Sequence, residues 1–126
     1  MNLQGSILLV DDEAHIRKYV SLILKQLGDN KVVEATNGEE AIAAYQKEKP
    51  ALVLLDISMP LMNGLETLKK LRAIDPEVVV VMLTSMVNRQ SIDEALAAGA
   101  SNYIRKDTPK EEIAKAIKET VEAHFT

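Results

Sequence analysis

The stretch LVLLD at residues 52–56 decides the fold, because it consists of four consecutive apolar residues followed directly by an acidic residue. The run Leu52 to Leu55 shows no polar alternation, which is typical of a strand buried on both faces of a parallel sheet. Two further runs have the same character, ILLV at residues 7–10 and the run from Val78 to Leu83. The sequence therefore predicts three central strands of one parallel sheet.

Two weaker apolar runs, around Val32 and around Ile104, suit the edge strands of the same sheet. Segments with helical periodicity separate the five runs, so strands and helices alternate along the chain. This alternation predicts an α/β fold, a doubly wound five-stranded parallel sheet flanked by five helices. The pattern occupies a core of about residues 6–124, and we expect residues 1–126 to form a single domain.

Local signals predict how two of the helices begin and pack. Thr36 and Glu39, at the start of the second helix, have the spacing of a capping box. In the fourth helix, Ile92, Ala95 and Leu96 fall on one side, which we expect to face the sheet.

The composition excludes several classes of function. The chain has no cysteine, so it has neither disulfides nor thiolate catalysis nor cysteine-held metal clusters. A net charge of −4 and 3% aromatic residues argue against direct nucleic-acid binding. The longest apolar run is far shorter than the roughly 20 residues that span a bilayer, and a signal peptide is lacking. We expect a cytoplasmic protein with no membrane insertion.

Polar residues follow the predicted strands at the sheet edge where parallel sheets carry their sites. Asp11 and Asp12 come after the first strand, Asp56 after the third, Thr84 after the fourth and Lys106 after the fifth. Each has an ordinary alternative role: Asp12 as a helix cap, Asp56 as a loop acid, Thr84 as a turn residue and Lys106 as a solvated cation. Taken together, these residues predict a functional site at the carboxyl ends of the strands.

Three carboxylates close together repel one another, and a bound cation makes such a cluster tolerable. With only oxygen ligands present, Mg²⁺ fits best, with Mn²⁺ as the alternative. A carboxylate nucleophile, an ammonium and a hydroxyl beside this ion are the groups that phosphoryl transfer requires.

The sequence resembles the receiver domain of bacterial two-component response regulators, and chemotaxis regulators in particular, over essentially the whole chain. The resemblance lies in LLVDDE at residues 8–13, EATNGEEA at 34–41, DISMPLMNG at 56–64, LTS at 83–85 and AGASNYIRK at 98–106. It implies the flavodoxin-like strand order 2-1-3-4-5.

The resemblance also implies roles at the acidic cluster. Asp56 is similar to the phosphoacceptor of that family. Asp12 and Asp56 resemble direct Mg²⁺ ligands, with the backbone carbonyl of Ser58 as a third. Asp11 is similar to the acid that holds the ion through water.

For the remaining residues, the resemblance implies a switch. Lys106 pairs with the phosphoryl oxygens and Thr84 hydrogen-bonds the phosphoryl group. Tyr103 then turns inward and changes the surface of the fourth helix, fifth strand and fifth helix. The implied partners are a sensor histidine kinase or phosphotransfer protein and a downstream effector protein, with a homodimer as a further option. The implied catalysis is limited to the protein's own phosphorylation and dephosphorylation.

Two alternatives remain open at this stage, and two other classes do not fit the sequence. One alternative is a receiver-like interaction module without phosphoryl transfer, and another is a receiver excised from a longer DNA-binding or enzymatic response regulator. A flavin protein would need a hydroxyl- and glycine-rich loop after the first strand, where this chain has acids. A phosphatase with an aspartate nucleophile would carry a second acid at Ser58.

The chain departs from the family pattern beside Lys106. Asp107 follows it where the family usually has proline, which implies either a costly cis peptide or another loop path. Asp107 is also a candidate competitor for Lys106. Ser58 and Met86 offer no group to steer an attacking water, so we expect a phosphoryl group that is not unusually short-lived. We interpret His15 as a solvated helix residue.

Overall fold

Five strands alternate with five helices along the chain. The computed structural model describes residues 5–28, 30–59, 62–85 and 88–125. The strands are β1 (Ile7–Val10), β2 (Val32–Ala35), β3 (Leu52–Leu55), β4 (Val80–Thr84) and β5 (Asn102–Arg105). The helices are α1 (Ala14–Leu27), α2 (Gly38–Glu48), α3 (Gly64–Ile74), α4 (Arg89–Ala97) and α5 (Lys110–Phe125).

All five strands belong to one parallel sheet in the order β2-β1-β3-β4-β5. The predicted doubly wound α/β fold and its strand order are therefore confirmed. The strand between Val78 and Leu83 begins later than its apolar run, at Val80, and continues to Thr84. Among the described residues, none of the helices combines the length and apolar character that a bilayer-spanning segment requires.

The two faces of the sheet carry separate hydrophobic cores, because side chains alternate along each strand. Leu54 packs in the core that α1 and α5 cover, together with Leu24 and Ile117. Leu55 packs in the opposite core, which receives residues of α2, α3 and α4 such as Leu68. Both faces of β3 are thus buried, as its unbroken apolar run predicts.

Two local predictions are wrong in detail. The N-cap of α2 is Asn37, whose side chain accepts a hydrogen bond from the Glu40 amide. The side chain of Glu40 in turn accepts a hydrogen bond from the Thr36 amide. The capping interaction is thus displaced by one residue from the predicted pair, because the helix begins one residue later.

Leu96 does not face the sheet; it is 48% exposed, whereas Ala95 is fully buried. The buried side of α4 consists of the small residues Ser91 and Ala95. Small side chains let this nine-residue helix lie close to the sheet, and the larger Leu96 is left on the outer surface.

Leucine truncation tests the assignment of the core. We expect Leu54→Ala to lower the free energy of unfolding by about 2–5 kcal/mol, because the residue is fully buried and its loss leaves a cavity. The matched control is Leu22→Ala on α1, where the leucine is 53% exposed and we expect a change within about 0.5 kcal/mol. Urea unfolding measures both. Equal losses in the two variants would contradict the packing described here.

Candidate functional site

The parallel register of the two central strands brings two acids side by side. Val10 of β1 is paired with Leu55 of β3, so Asp11 and Asp56 are the next residues beyond the same pair. The Asp56 amide donates to the Val10 carbonyl at 3.1 Å. Asp11 is only 2% exposed and Asp56 only 1%, so both carboxyl groups lie inside the protein.

Asp12 completes a cluster of three carboxylates at this edge of the sheet. One oxygen each from Asp11, Asp12 and Asp56 lies within 4.8 Å of the other two. Asp12 is exposed and does not cap α1, since the N-cap is Glu13, which makes no side-chain capping bond. The structure thus brings together the three acids that the sequence predicts as metal ligands.

The donor set fits a small divalent cation. Mg²⁺ binds oxygens at about 2.0–2.1 Å, so two ligands on opposite sides of the ion are about 4 Å apart. One oxygen from each of the three acids lies within 4.8 Å of the other two, so one ion can be held between them directly or through a water. All three donors are oxygens, which hard cations prefer.

Lys106 lies between the two buried acids. Its Nζ is 2.7 Å from Asp11 Oδ2 and 3.0 Å from Asp56 Oδ2, and Glu13 Oε1 is 3.6 Å away. The lysine reaches this position because it follows β5, and its amide donates to the Thr84 carbonyl at 3.0 Å. The predicted convergence of Lys106 on the acids is therefore observed.

Burial and charge act in opposite directions on these groups. Burial raises the pKa of Asp11 above its ordinary value, and the hydrogen bonds from Lys106 and the Glu13 amide offset this only in part. Burial alone would lower the pKa of Lys106, but its hydrogen bonds to Asp11 and Asp56 outweigh burial and raise it. Lys106 is thus a cation at neutral pH, and one ammonium faces two buried carboxylates.

The loop after β5 places Lys106 although Asp107 stands where the family that the sequence resembles usually has proline. The Lys106–Asp107 peptide bond is trans. A turn follows in which the Thr108 amide donates to the Arg105 carbonyl at 3.2 Å. Asp107 does not compete for Lys106: it accepts two hydrogen bonds from the Arg105 guanidinium, each 2.9 Å long. The loop therefore takes the other path, and its extra acid is neutralised by the neighbouring arginine.

The remaining predicted residues border the cluster. Thr84 is fully buried at the end of β4, and the Ser58 amide donates to Asp56 Oδ1 at 3.3 Å. Tyr103 is half-buried and packs against the core under α2, α3 and α4. Burial raises the pKa of Tyr103, and the negative charge of Asp56 adds to the effect. Met86 lies outside the described residues.

His15 has the predicted solvated position. Its side chain is 75% exposed, and Nε2 is 3.6 Å from Glu13 Oε2.

Gly64 is a site residue whose role the sequence pattern alone does not reveal. Its amide donates to the Ile57 carbonyl at 2.9 Å. A side chain at this position would collide with the backbone oxygen of Asp56 and would place its Cβ 2.6 Å from Ile57 Cα. Only glycine lets the start of α3 lie against the backbone that carries Asp56. The available signal is a glycine at the first position of a helix directly after its Asn63 cap.

Comparisons with known proteins identify the family of this chain. The family model described as "Response regulator receiver domain" matches residues 7–118. The chain belongs to the response regulator receiver domain family. The chemotaxis protein CheY of Thermotoga maritima is 35% identical over 111 residues, which cover 88% of this chain and 92% of that protein.

Solved receiver structures share the whole fold. A CheY-like receiver domain protein from Methanospirillum hungatei is 31% identical, with a TM-score of 0.88 and 95% of each chain covered. CheY in a CheX-CheY-BeF3-Mg complex from Borrelia burgdorferi is 27% identical, with a TM-score of 0.87, and 91% of this chain and 87% of that chain are covered. This receiver domain is thus of the type found in phosphorylation-activated two-component switches.

The raised pKa of Asp11 predicts a pH-dependent effect of removing its charge. The folded protein binds a proton at Asp11 more tightly than the unfolded chain does. The ionised carboxylate therefore lowers the free energy of unfolding at pH values above its folded-state pKa. This destabilisation disappears as the pH falls through that pKa towards the ordinary value of 3.8. We therefore expect Asp11→Asn to raise the free energy of unfolding at pH 7 in EDTA, with a gain that shrinks at lower pH.

The control for this experiment is Asp93→Asn, which changes an exposed acid of α4. Denaturant unfolding between pH 4 and pH 7 measures both variants. A loss of stability in Asp11→Asn at pH 7, or a gain in stability that grows on acidification, would show that the ionised Asp11 does not destabilise the folded protein.

Proposed function

We propose that this receiver domain is a phosphorylation-activated signalling switch that accepts a phosphoryl group on Asp56. The observation that carries the proposal is the position of Asp56 Oδ2, 3.0 Å from the Lys106 ammonium and inside a cluster of three carboxylates. A carboxylate held beside a cation and two further acids has the surroundings of a nucleophile in phosphoryl transfer.

The cation that we propose for this cluster is Mg²⁺, with Mn²⁺ as a substitute. Asp12, Asp56 and the backbone carbonyl of Ser58 would hold it directly, and Asp11 would hold it through water. When bound, the ion supplies positive charge to the oxygens of the phosphoryl group. The presence of Mg²⁺ in the Borrelia burgdorferi CheY complex supports this choice.

In the proposed reaction, a carboxylate oxygen of Asp56 forms a bond to the phosphorus atom of the donor. With a phosphohistidine donor, the phosphorus–nitrogen bond breaks and its electron pair leaves with the imidazole. Lys106 pairs with a phosphoryl oxygen and so balances the incoming negative charge. Because the attacking group is already a carboxylate, the chain needs no separate base to remove a proton.

The proposed partners are a sensor histidine kinase or phosphotransfer protein as donor and an effector protein as target. A phosphoryl group brings close to two negative charges and three acceptor oxygens. Thr84, buried at the end of β4, moves to hydrogen-bond one of these oxygens, and Tyr103 packs into the space released. The surface formed by α4, β5 and α5 changes and is read by the effector. A cytoplasmic location and a homodimer stay predictions.

Chemical phosphorylation tests the proposed acceptor. We expect incubation with Mg²⁺ and acetyl phosphate to add the mass of one phosphoryl group to the intact protein, and Asp56→Asn to abolish the addition because the nucleophilic oxygen is lost. EDTA is expected to prevent labelling of the unmodified chain. Asp93→Asn, the matched exchange at an exposed acid, leaves labelling intact.

Three results would contradict the proposed chemistry. Failure of the wild-type chain to gain mass with acetyl phosphate or phosphoramidate would favour an interaction module without phosphoryl transfer. Labelling that survives in Asp56→Asn would place the phosphoryl group elsewhere. Labelling that survives EDTA would remove the metal from the proposal.

Fluorinated tyrosine tests the proposed switch, because the chain has three tyrosines that serve as internal controls for one another. We expect phosphorylation to shift the ¹⁹F resonance of Tyr103 and to leave those of Tyr19 and Tyr45 nearly unchanged, with Tyr103→Phe giving the assignment. Thr84→Ala is expected to reduce the shift, because the hydroxyl that moves is gone. An unchanged Tyr103 signal in fully phosphorylated wild-type protein would exclude this switch.

A further inference from the structure

Arg17 on α1 is largely buried, and its two hydrogen bonds go to a backbone carbonyl and to Glu34. Its side chain is only 16% exposed. One terminal nitrogen, Nη1, donates to the backbone carbonyl of Asp11 at 2.8 Å, and Nε donates to Glu34 Oε1 at 2.9 Å. The guanidinium therefore connects the end of β1, the first helix and the second strand.

These contacts fix the peptide groups that carry two of the three acids. The Asp11 amide donates to the Ala35 carbonyl of β2 at 3.1 Å, and the Asp11 carbonyl accepts from Arg17. Both backbone polar groups of Asp11 are thus bound, and the carbonyl that Arg17 holds is part of the peptide bond that leads to Asp12. Glu34, on β2, keeps the guanidinium in place.

We propose that Arg17 is a positioning residue that sets the divalent-cation affinity of the acidic cluster by fixing the loop that bears Asp11 and Asp12. This inference rests on the metal site of the proposed function. Arg17 acts through the backbone, whereas Lys106 contacts the carboxylates of Asp11 and Asp56.

Lysine cannot replace arginine in this position. The guanidinium presents donors on different edges of a rigid plane, and here Nε and Nη1 point to two separate acceptors. An ammonium is a point charge on a flexible stem and does not hold both acceptors in a fixed geometry. Arg17→Lys therefore keeps the charge and removes the positioning.

The loss of the Arg17 charge and the loss of its positioning contacts are expected to change the Mg²⁺ affinity in opposite directions, so the two effects can be distinguished. Removing a cation beside an acidic cluster strengthens its attraction for Mg²⁺, whereas loosening the loop weakens Mg²⁺ binding. A neighbouring control is Lys18, an exposed cation on the same helix. Lys18→Ala changes the charge as Arg17→Ala does, without touching the loop.

The test is the Mg²⁺ dissociation constant of the unphosphorylated chain, measured by titration of amide resonances. We expect Arg17→Lys to weaken Mg²⁺ binding about tenfold, the lower range for loss of a group that orients metal ligands. Lys18→Ala is expected to stay within about twofold of the wild type or to bind slightly more tightly. Glu34→Gln, which leaves Arg17 in place but weakens its anchor, is expected to weaken binding by a smaller factor.

Thermal unfolding in EDTA, recorded for every variant, separates positioning from general stability. A lower unfolding temperature in Arg17→Lys with an unchanged Mg²⁺ affinity would overturn the proposal, as would tighter Mg²⁺ binding in Arg17→Ala. If Arg17 variants do not fold, Glu34→Gln decides, and an unchanged affinity there overturns the proposal.

The outcome is distinguishable from failure of the proposed function. A wild-type chain that binds Mg²⁺ and is labelled, but whose affinity is insensitive to Arg17→Lys, contradicts the role of Arg17 alone. A wild-type chain that binds no Mg²⁺ contradicts both the metal site and the role of Arg17. A chain that binds Mg²⁺ with the expected Arg17 dependence but accepts no phosphoryl group contradicts only the phosphoryl transfer.

Discussion

The pairing of Lys106 with Asp11 and Asp56 is the interaction on which the site depends. Two aspartate residues that are each at most 2% exposed are brought together by the register of β1 and β3, and one ammonium at 2.7 and 3.0 Å holds them there. Burying charge is costly unless it is paired, and here the pairing is incomplete because there are more acids than cations. The remaining negative charge gives this edge of the sheet its affinity for a divalent ion and for the reaction that such an ion supports.

Much of the surrounding structure serves to hold these groups in place. Gly64 lets α3 begin against the backbone of Asp56, where a side chain would collide with it. The ion pair of Arg105 and Asp107 spans the turn beyond β5 in which Lys106 lies, and the Lys106–Asp107 peptide bond in this turn is trans. Arg17 fixes the opposite side of the cluster through the backbone carbonyl of Asp11. Most of these contacts are made to peptide groups, which makes the geometry of the cluster a property of the backbone.

The sequence predicts the parts of this protein that follow from local pattern. Unbroken apolar runs such as Leu52 to Leu55 reveal buried parallel strands, and the acids that follow them must lie at one edge of the sheet. Contacts that depend on side-chain direction are harder to predict. Leu96 was expected to face the sheet because it is apolar, yet small Ala95 is buried instead. The pairing of Asp107 with Arg105 and the two bonds of Arg17 depend on rotamers that residue spacing does not specify. The sequence shows Arg17 only as a charged residue next to the apolar stripe of the first helix, which does not predict its hydrogen bonds.

Paramagnetic broadening by Mn²⁺ tests the central claim most directly, because it locates a divalent ion without requiring any reaction. At substoichiometric Mn²⁺, the amide resonances of Glu13, Ser58 and Lys106 are expected to broaden first and to recover when excess Mg²⁺ is added. Resonances at the opposite end of the strands, such as those of Val32 and Leu52, are expected to stay sharp. Broadening that centres on the acids of α5, or that spreads evenly over the surface, would contradict a divalent-cation site at the ends of β1 and β3.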